Sequence, residues 1–205
     1  MMEKKKSKLT LKQWKVAVWC GIVLLILLFV DQITKAWAEA AADGLLSAPL
    51  SDYFLGFIRL DYVSNSGIAW SLFDDNPVAM TVITVFTGIM IVGIAILFFT
   101  LFKKNIPAQA SLAVIEAGAI GNLIDRIACK NAAGHYVRDF IDVSRIGFGT
   151  CNVADFCITF GAVALVFIIL FIGPSSLFPL TKKWREESKR LEEEKEKKKK
   201  EKNHD

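Results

Sequence analysis

In the stretch "CNVADFCITFGAVALVFIILFIGP", which begins at Cys151, Asn152 and Asp155 stand at the entrance to a run apolar enough to dissolve in lipid. A charged side chain inside a bilayer costs about 2.5 kcal/mol or more, so a carboxylate kept there usually has a task. Further polar groups occur at comparable places. Asp31 and Lys35 lie in "VDQITKAW", four residues apart on one helical face and in the order that suits an ion pair. Asn122, Asp125 and Arg126 in "GNLIDRIA" share a stripe, with Gly118 one turn below Asn122 leaving room for a close approach. Asp139 and Asp142 lie in "VRDFIDV", and Asn65 in an earlier loop.

These residue types restrict the chemistry. The chain has only two histidines, His135 and His204, which excludes a His-rich metal site. Cys20, Cys129, Cys151 and Cys157 show no close metal-type spacing; they read as small apolar residues, with a Cys129–Cys151 disulfide as the alternative. No metal and no other cofactor is expected. A dyad of Ser71 and Lys35 is possible in principle, but Asp31 would hold Lys35 charged and make it a poor base. Carboxylates remain. Two held close together cannot both ionise easily and share a proton. One can then deprotonate a water while the other hydrogen-bonds the carbonyl under attack, and their titration belongs to the pair. Asp155 is the best placed. Asp139, Asp142 and Asp125 are all candidate partners by spacing, Asp125 the weakest because Arg126 and the Asp31–Lys35 pair could tie it into a structural network.

The elements that must position these groups are membrane spans. Of the 205 residues 53% are hydrophobic, although both ends are dense in Lys and Glu. A helical span needs about 20 mostly apolar residues, and four windows qualify, at about 14–38, 78–102, 106–128 and 153–172. The first resembles a secretory signal but is long, lacks a small-x-small cleavage site and is followed by three more spans, so it reads as retained. Residues 1–13 form a basic terminus, 14–173 the four-span domain, and 174–205 a charged tail that reads as a solvated or fraying helix. Lys and Arg mark the cytoplasmic side. They cluster before the first span, at Lys103 and Lys104, and at Lys182, Lys183 and Arg185, whereas the 39–77 loop holds only Arg59 against six acids. Both termini are therefore expected in the cytoplasm, with the two long loops, and the polar clusters, at the outer face. Glu116 does not fit that layer, lying roughly 13 Å deeper than Asp125. A transporter would place polar groups at the midplane on broken helices, and the middles of spans one, two and four are apolar.

"DQITK" (from Asp31), "NSGIAWS" (from Asn65), "GNLIDR" (from Gly121), "RDFIDV" (from Arg138) and "NVAD" (from Asn152) occur in this order. On these motifs the chain resembles the bacterial lipoprotein signal peptidases (signal peptidase II) from about residue 15 to 172. The resemblance implies an all-α membrane protein of four transmembrane helices, with a small β-rich cradle and interfacial helix between the first two spans, in residues 43–71. It implies an intramembrane aspartyl endopeptidase of the bacterial cytoplasmic membrane that cuts diacylglyceryl-prolipoproteins just before the lipidated cysteine. The family's catalytic aspartates match Asp139 and Asp155. Its surrounding polar residues match Asp31, Lys35, Asn65, Gly67, Asn122, Asp125, Arg126 and Asn152. Asn65 and Arg126 are expected to contact substrate backbone, and Asp31 and Lys35 to give structural support. The expected partners are prolipoprotein and membrane lipid, with no nucleic acid, and the expected state is a monomer. Cys151 replaces a usual aromatic, Trp70 replaces a usual Phe, and "KNAAGHY" lengthens the loop before Asp139.

Overall fold

The computed structural model describes residues 11–44, 56–66, 77–100, 105–132, 134–173 and 176–202. They divide into two units, Met1–Gly161 and Ala162–Asp205. In chain order the elements are α1 (Leu11–Ala42), β1 (Arg59–Asn65), α2 (Pro77–Thr100), α3 (Ile106–Ala128), β2 (Lys130–Asn131), β3 (Gly134–His135), β4 (Val137–Asp142), a 3-10 turn (Ser144–Ile146), β5 (Thr150–Cys151), α4 (Val153–Phe171) and α5 (Lys182–Lys202).

Among the described residues three helices are long and apolar enough to cross a membrane: α1 from Gln13, α2 from Val78, and α4. Their exposed surfaces carry Trp19, Leu25, Phe29, Val82, Phe86, Ile89, Phe160 and Val163, the reverse of a water-soluble exterior. At 1.5 Å per residue α1 is about 48 Å long, so it outruns a hydrocarbon layer of about 30 Å and carries Asp31, Lys35 and Glu39 on its last three turns.

The window expected as the third span, α3, has the length of a crossing helix (23 residues) but a more polar sequence. The reason is its position: it packs against both α1 and α2 and buries Gln109, Ser111, Asn122 and Asp125 among them. A helix covered by other helices need not be lipid-soluble around its whole circumference. Asn105 caps its start by accepting from the Ala108 N–H (3.2 Å), and the chain leaves it at Cys129. Small residues bring the N-terminal half of α4 against it. A Cβ on Gly118 would collide with the Ala154 carbonyl oxygen, and one on Gly161 with Ile115.

The cradle expected within residues 43–71 has a different make-up. Its three-stranded sheet runs β1-β4-β5, so the first long loop supplies one described strand and the second supplies two. Asn65 pairs with Val137 and Val63 with Asp139 in the antiparallel β1–β4 register, with a bulge between Leu60 and Val63. An isolated hairpin is marginal in water; joining strands from both loops gives three. The chain is thus mostly helical with a small sheet. The interfacial helix expected in the first long loop, Gly67 and Ser71 lie outside the described residues. The charged tail forms α5. All four cysteines are free, Cys129 and Cys151 included.

Candidate active site

α4 begins with a reciprocal cap. The Asn152 Oδ1 accepts from the Asp155 N–H (3.0 Å), and the Asp155 Oδ2 accepts from the Asn152 N–H (3.1 Å), the geometry of a capping box with Asp at its third helical position. The Asp31 Oδ1 accepts from the Ala154 N–H (2.8 Å), so three donors that a helix start leaves orphaned are satisfied, two of them by carboxylates, as the helix dipole favours. Asp155 thus caps the helix start, and its Oδ1 also accepts from Asn122 Nδ2 on α3 (2.8 Å).

Asn152 is fully buried and reaches the second carboxylate. Its Nδ2 donates to Asp139 Oδ1 (2.6 Å) and to Asn122 Oδ1 (3.1 Å). Asn65 Nδ2, from β1, donates to Asp139 Oδ2 (2.7 Å). Asp139 on β4 and Asp155 on α4 are thereby joined through Asn152, each oxygen meeting an amide donor. The other two candidate partners are engaged elsewhere. Asp142 accepts from the Arg59 guanidinium (3.0 Å) and from the Ser144 N–H (2.9 Å). Asp125 is paired with Lys35 (3.3 Å) and Arg138 (2.7 Å).

Beneath this pair lies a buried ionic floor. Lys35 Nζ, 0% exposed, contacts Asp31 Oδ2 (2.9 Å), Asp125 Oδ2 and Asn122 Oδ1 (2.9 Å). All three ammonium protons have acceptors. Gly121 faces Asp31 so closely that a Cβ there would enter its carboxylate. Arg126, from the same turn of α3, lies within electrostatic reach of Asp155, Asp139 and Asp125, and its buried Nε has no hydrogen-bond partner among the described residues.

Five residues outside the expected site complete the frame. Arg138 donates to Asp125 Oδ1 (2.7 Å), Gln32 Oε1 (3.1 Å) and Glu39 Oε2 (3.2 Å), while its backbone N–H donates to Asp125 Oδ2 (3.0 Å). Tyr62 and Tyr136 hydroxyls donate to Glu39 Oε1 (3.2 and 3.3 Å). Glu39 was discoverable, since 31, 35 and 39 repeat every four residues along one face of α1. Gln32 and Arg138 carried no periodic signal beyond adjacency to motif residues.

Burial and then the Asp155 charge push Asp139 up to about 7, against the opposing hydrogen bonds from Asn65 and Asn152. Burial works against the Arg138 charge, but Asp125 outweighs it and holds that guanidinium protonated above its usual range. Cys151, donating to the Ile141 carbonyl (3.4 Å), is pushed up to about 12 by burial and the nearby aspartates, so it stays a thiol at neutral pH. Among the described residues no group of three or more His, Cys, Asp or Glu is arranged to hold a metal ion.

Known proteins match this chain closely enough to place it. A family model described as signal peptidase (SPase) II matches residues 23–171. A lipoprotein signal peptidase of Caldanaerobacter subterraneus is 34% identical over 154 residues, which are 74% of this chain and 96% of that protein. Those of a Nostoc species (33%, 76% of this chain, 91% of that protein) and of Streptococcus pyogenes (32%, 70% and 87%) are similar. Two solved bacterial membrane enzymes share the fold, at TM-scores of 0.61 and 0.58, with 24% and 23% identity over 74% of this chain and 87% and 92% of theirs. The chain belongs to the signal peptidase II family.

Proposed function

We propose that this chain is an aspartyl endopeptidase that removes the signal peptide from diacylglyceryl-modified prolipoproteins, cutting just before the lipidated cysteine with Asp139 and Asp155 as its catalytic pair. One observation carries the reading. Asp31, Asp125 and Asp142 each face a cation, whereas Asp139 and Asp155 are bound only by amide groups and form no salt bridge among the described residues. A carboxylate locked to a cation stays ionised; an amide-bound buried pair can hold one proton and pass it on.

With Asp139 carrying that proton, Asp155 takes a proton from a water as its oxygen adds to the scissile carbonyl, and the carbonyl oxygen accepts the proton of Asp139. The resulting gem-diol collapses. Asp155 gives its proton to the leaving nitrogen, a diol hydroxyl returns one to Asp139, and the C–N bond breaks to leave a carboxylic acid and the free amine of the lipidated cysteine. In this reading Arg126 and Asn65 contact the substrate backbone. Lys35, Asp31 and Asn122 hold the floor.

The same proposal includes the membrane arrangement. α3 crosses with α1, α2 and α4, both termini lie in the cytoplasm, and the pair opens at the outer face of the bacterial cytoplasmic membrane. One chain supplies every group named, so a monomer suffices. The test is cleavage of a prolipoprotein, with and without its diacylglyceryl group, by the wild type and by Asp139→Asn and Asp155→Asn. The wild type is expected to cut only the lipidated form, and each variant to lose about 10²–10⁴-fold or more while remaining folded. Near-normal turnover in either variant would refute the pair.

A further inference from the structure

The segment after α4 lies beyond the residues that the family model matches and takes no part in the site. Gly173 has a φ of +108°, and beyond it residues 177–180 lie against the last turn of α4. The N–H groups of Leu177, Phe178 and Leu180 donate to the carbonyls of Ile169, Leu170 and Phe171 at 3.2, 2.7 and 3.2 Å. These are carbonyls that a helix end leaves without partners, and bonding them removes the cost of holding bare polar groups in an apolar layer. The Phe178 ring lies against Phe171 (centroids 6.4 Å), and Phe171 against Phe167 (5.0 Å).

The collar's outward side is apolar and uncovered. Leu177, Phe178 and Leu180 are 67%, 63% and 54% exposed. Next come Lys182, Lys183, Trp184 and Arg185, the three cations exposed and Trp184 half-buried. Glu186 and Glu187 follow one turn on, yet none of the three cations is in a salt bridge among the described residues. Arg185 Nε donates instead to the Pro179 carbonyl (2.9 Å). Three positive charges in the first turn oppose the helix dipole, so helix stability does not account for them.

We propose that residues 177–185 form a lipid-docking collar, with the apolar triplet seated in the interfacial layer and Lys182, Lys183 and Arg185 bound to the phosphates of anionic phospholipids. The occupant follows from continuity and charge. The collar is hydrogen-bonded to the end of a helix whose exposed residues are lipid-soluble, so bilayer is the medium that meets it, and the cations select the anionic headgroups within it. An aromatic beside cations at an apolar boundary is the composition that settles at headgroup depth.

The test uses the full chain in mild detergent, titrated with phosphatidylglycerol or phosphatidylcholine, with retained lipids counted by native mass spectrometry. The wild type is expected to hold phosphatidylglycerol in preference. Each cation removed should cost about fivefold in that affinity, and K182Q/K183Q/R185Q on the order of a hundredfold, with helicity and thermal midpoint unchanged. L177S/F178S/L180S should weaken both lipids alike. Equal retention of the two lipids by the wild type, or an intact preference in the triple glutamine variant, overturns the proposal.

Discussion

Whatever meets a carboxylate here sets what it can do. Lys35 bridges Asp31 and Asp125, Arg138 adds to Asp125, and Arg59 holds Asp142, so these three are tied into ion pairs. Asp139 meets the amides of Asn65 and Asn152 and the field of Asp155. Because its carboxyl is pushed up to about 7, it keeps its proton below that pH and loses it above. A pair that needs one shared proton therefore works below about pH 7 and fails above it, so kcat/KM for prolipoprotein cleavage should fall on the alkaline side with a midpoint near 7. The pH–rate profile reports this directly. In Asp155→Asn the neighbouring negative charge is gone, and the Asp139 carboxyl signal in infrared difference spectra should titrate at a lower pH than in the wild type. A flat profile through pH 8 would remove Asp139 as the proton holder.

At the scale of elements, β4, the strand that carries Asp139, is held by the helices beside it as well as by its own sheet. β4 is six residues long, and Arg138 ties it to α1 through Gln32 and Glu39 and to α3 through Asp125. Removing that guanidinium leaves Asp125 in a single ion pair among the described residues, with Lys35, at a cost of about 2 kcal/mol, and lets Asp139 drift from Asn152. Arg138→Gln should lower kcat by about 10- to 100-fold with KM changed little, and Arg138→Lys, which cannot span all three acceptors, should recover only part of it. Single-turnover cleavage beside thermal unfolding separates the two effects; unchanged kcat in a destabilised Arg138→Gln would make the residue a brace for the fold only. Arg138 also marks what the sequence made legible. Groups related by helical spacing, such as Asp31 with Lys35 or Asn122 with Asp125, are visible because 3.6 residues per turn puts them on one face. The bonds from Arg138 to Gln32 and Glu39 span 106 and 99 residues and have no local signature. The sheet hid for the same reason: β1 pairs with a strand 72 residues further on, at Asn65–Val137, and no pattern inside the first loop encodes that partner. Among three candidate partners of Asp155, only the fold distinguishes one bound to Asn152 from two bound to arginine.

For the whole molecule, polarity is inverted relative to a soluble protein: Lys35, Asp125 and Asn152 are 0% exposed while Trp19, Phe86 and Phe160 are more than half exposed. Such a chain is at equilibrium only in a bilayer, where the apolar exteriors of α1, α2 and α4 meet lipid and α3 can keep its polar stripe because its neighbours cover it. If α3 crosses as well, the number of crossings is even and both ends emerge on one side. The Lys-rich start and α5 then share the compartment that positive charge favours, the cytoplasm, while β1, β4 and β5 stand outside, at the end of the helices where Asp139 and Asp155 lie. Protease applied to intact spheroplasts should leave α5 in place, and applied to inverted membrane vesicles should remove its 21 residues while sparing the membrane-embedded core. Three crossings would put the two ends on opposite sides, so an amino-terminal tag protected in inverted vesicles that lose α5 would contradict the four-helix arrangement. In the proposed arrangement the pair lies at the outer face, where a lipidated cysteine and its scissile bond would be at headgroup level, with water available for the attack.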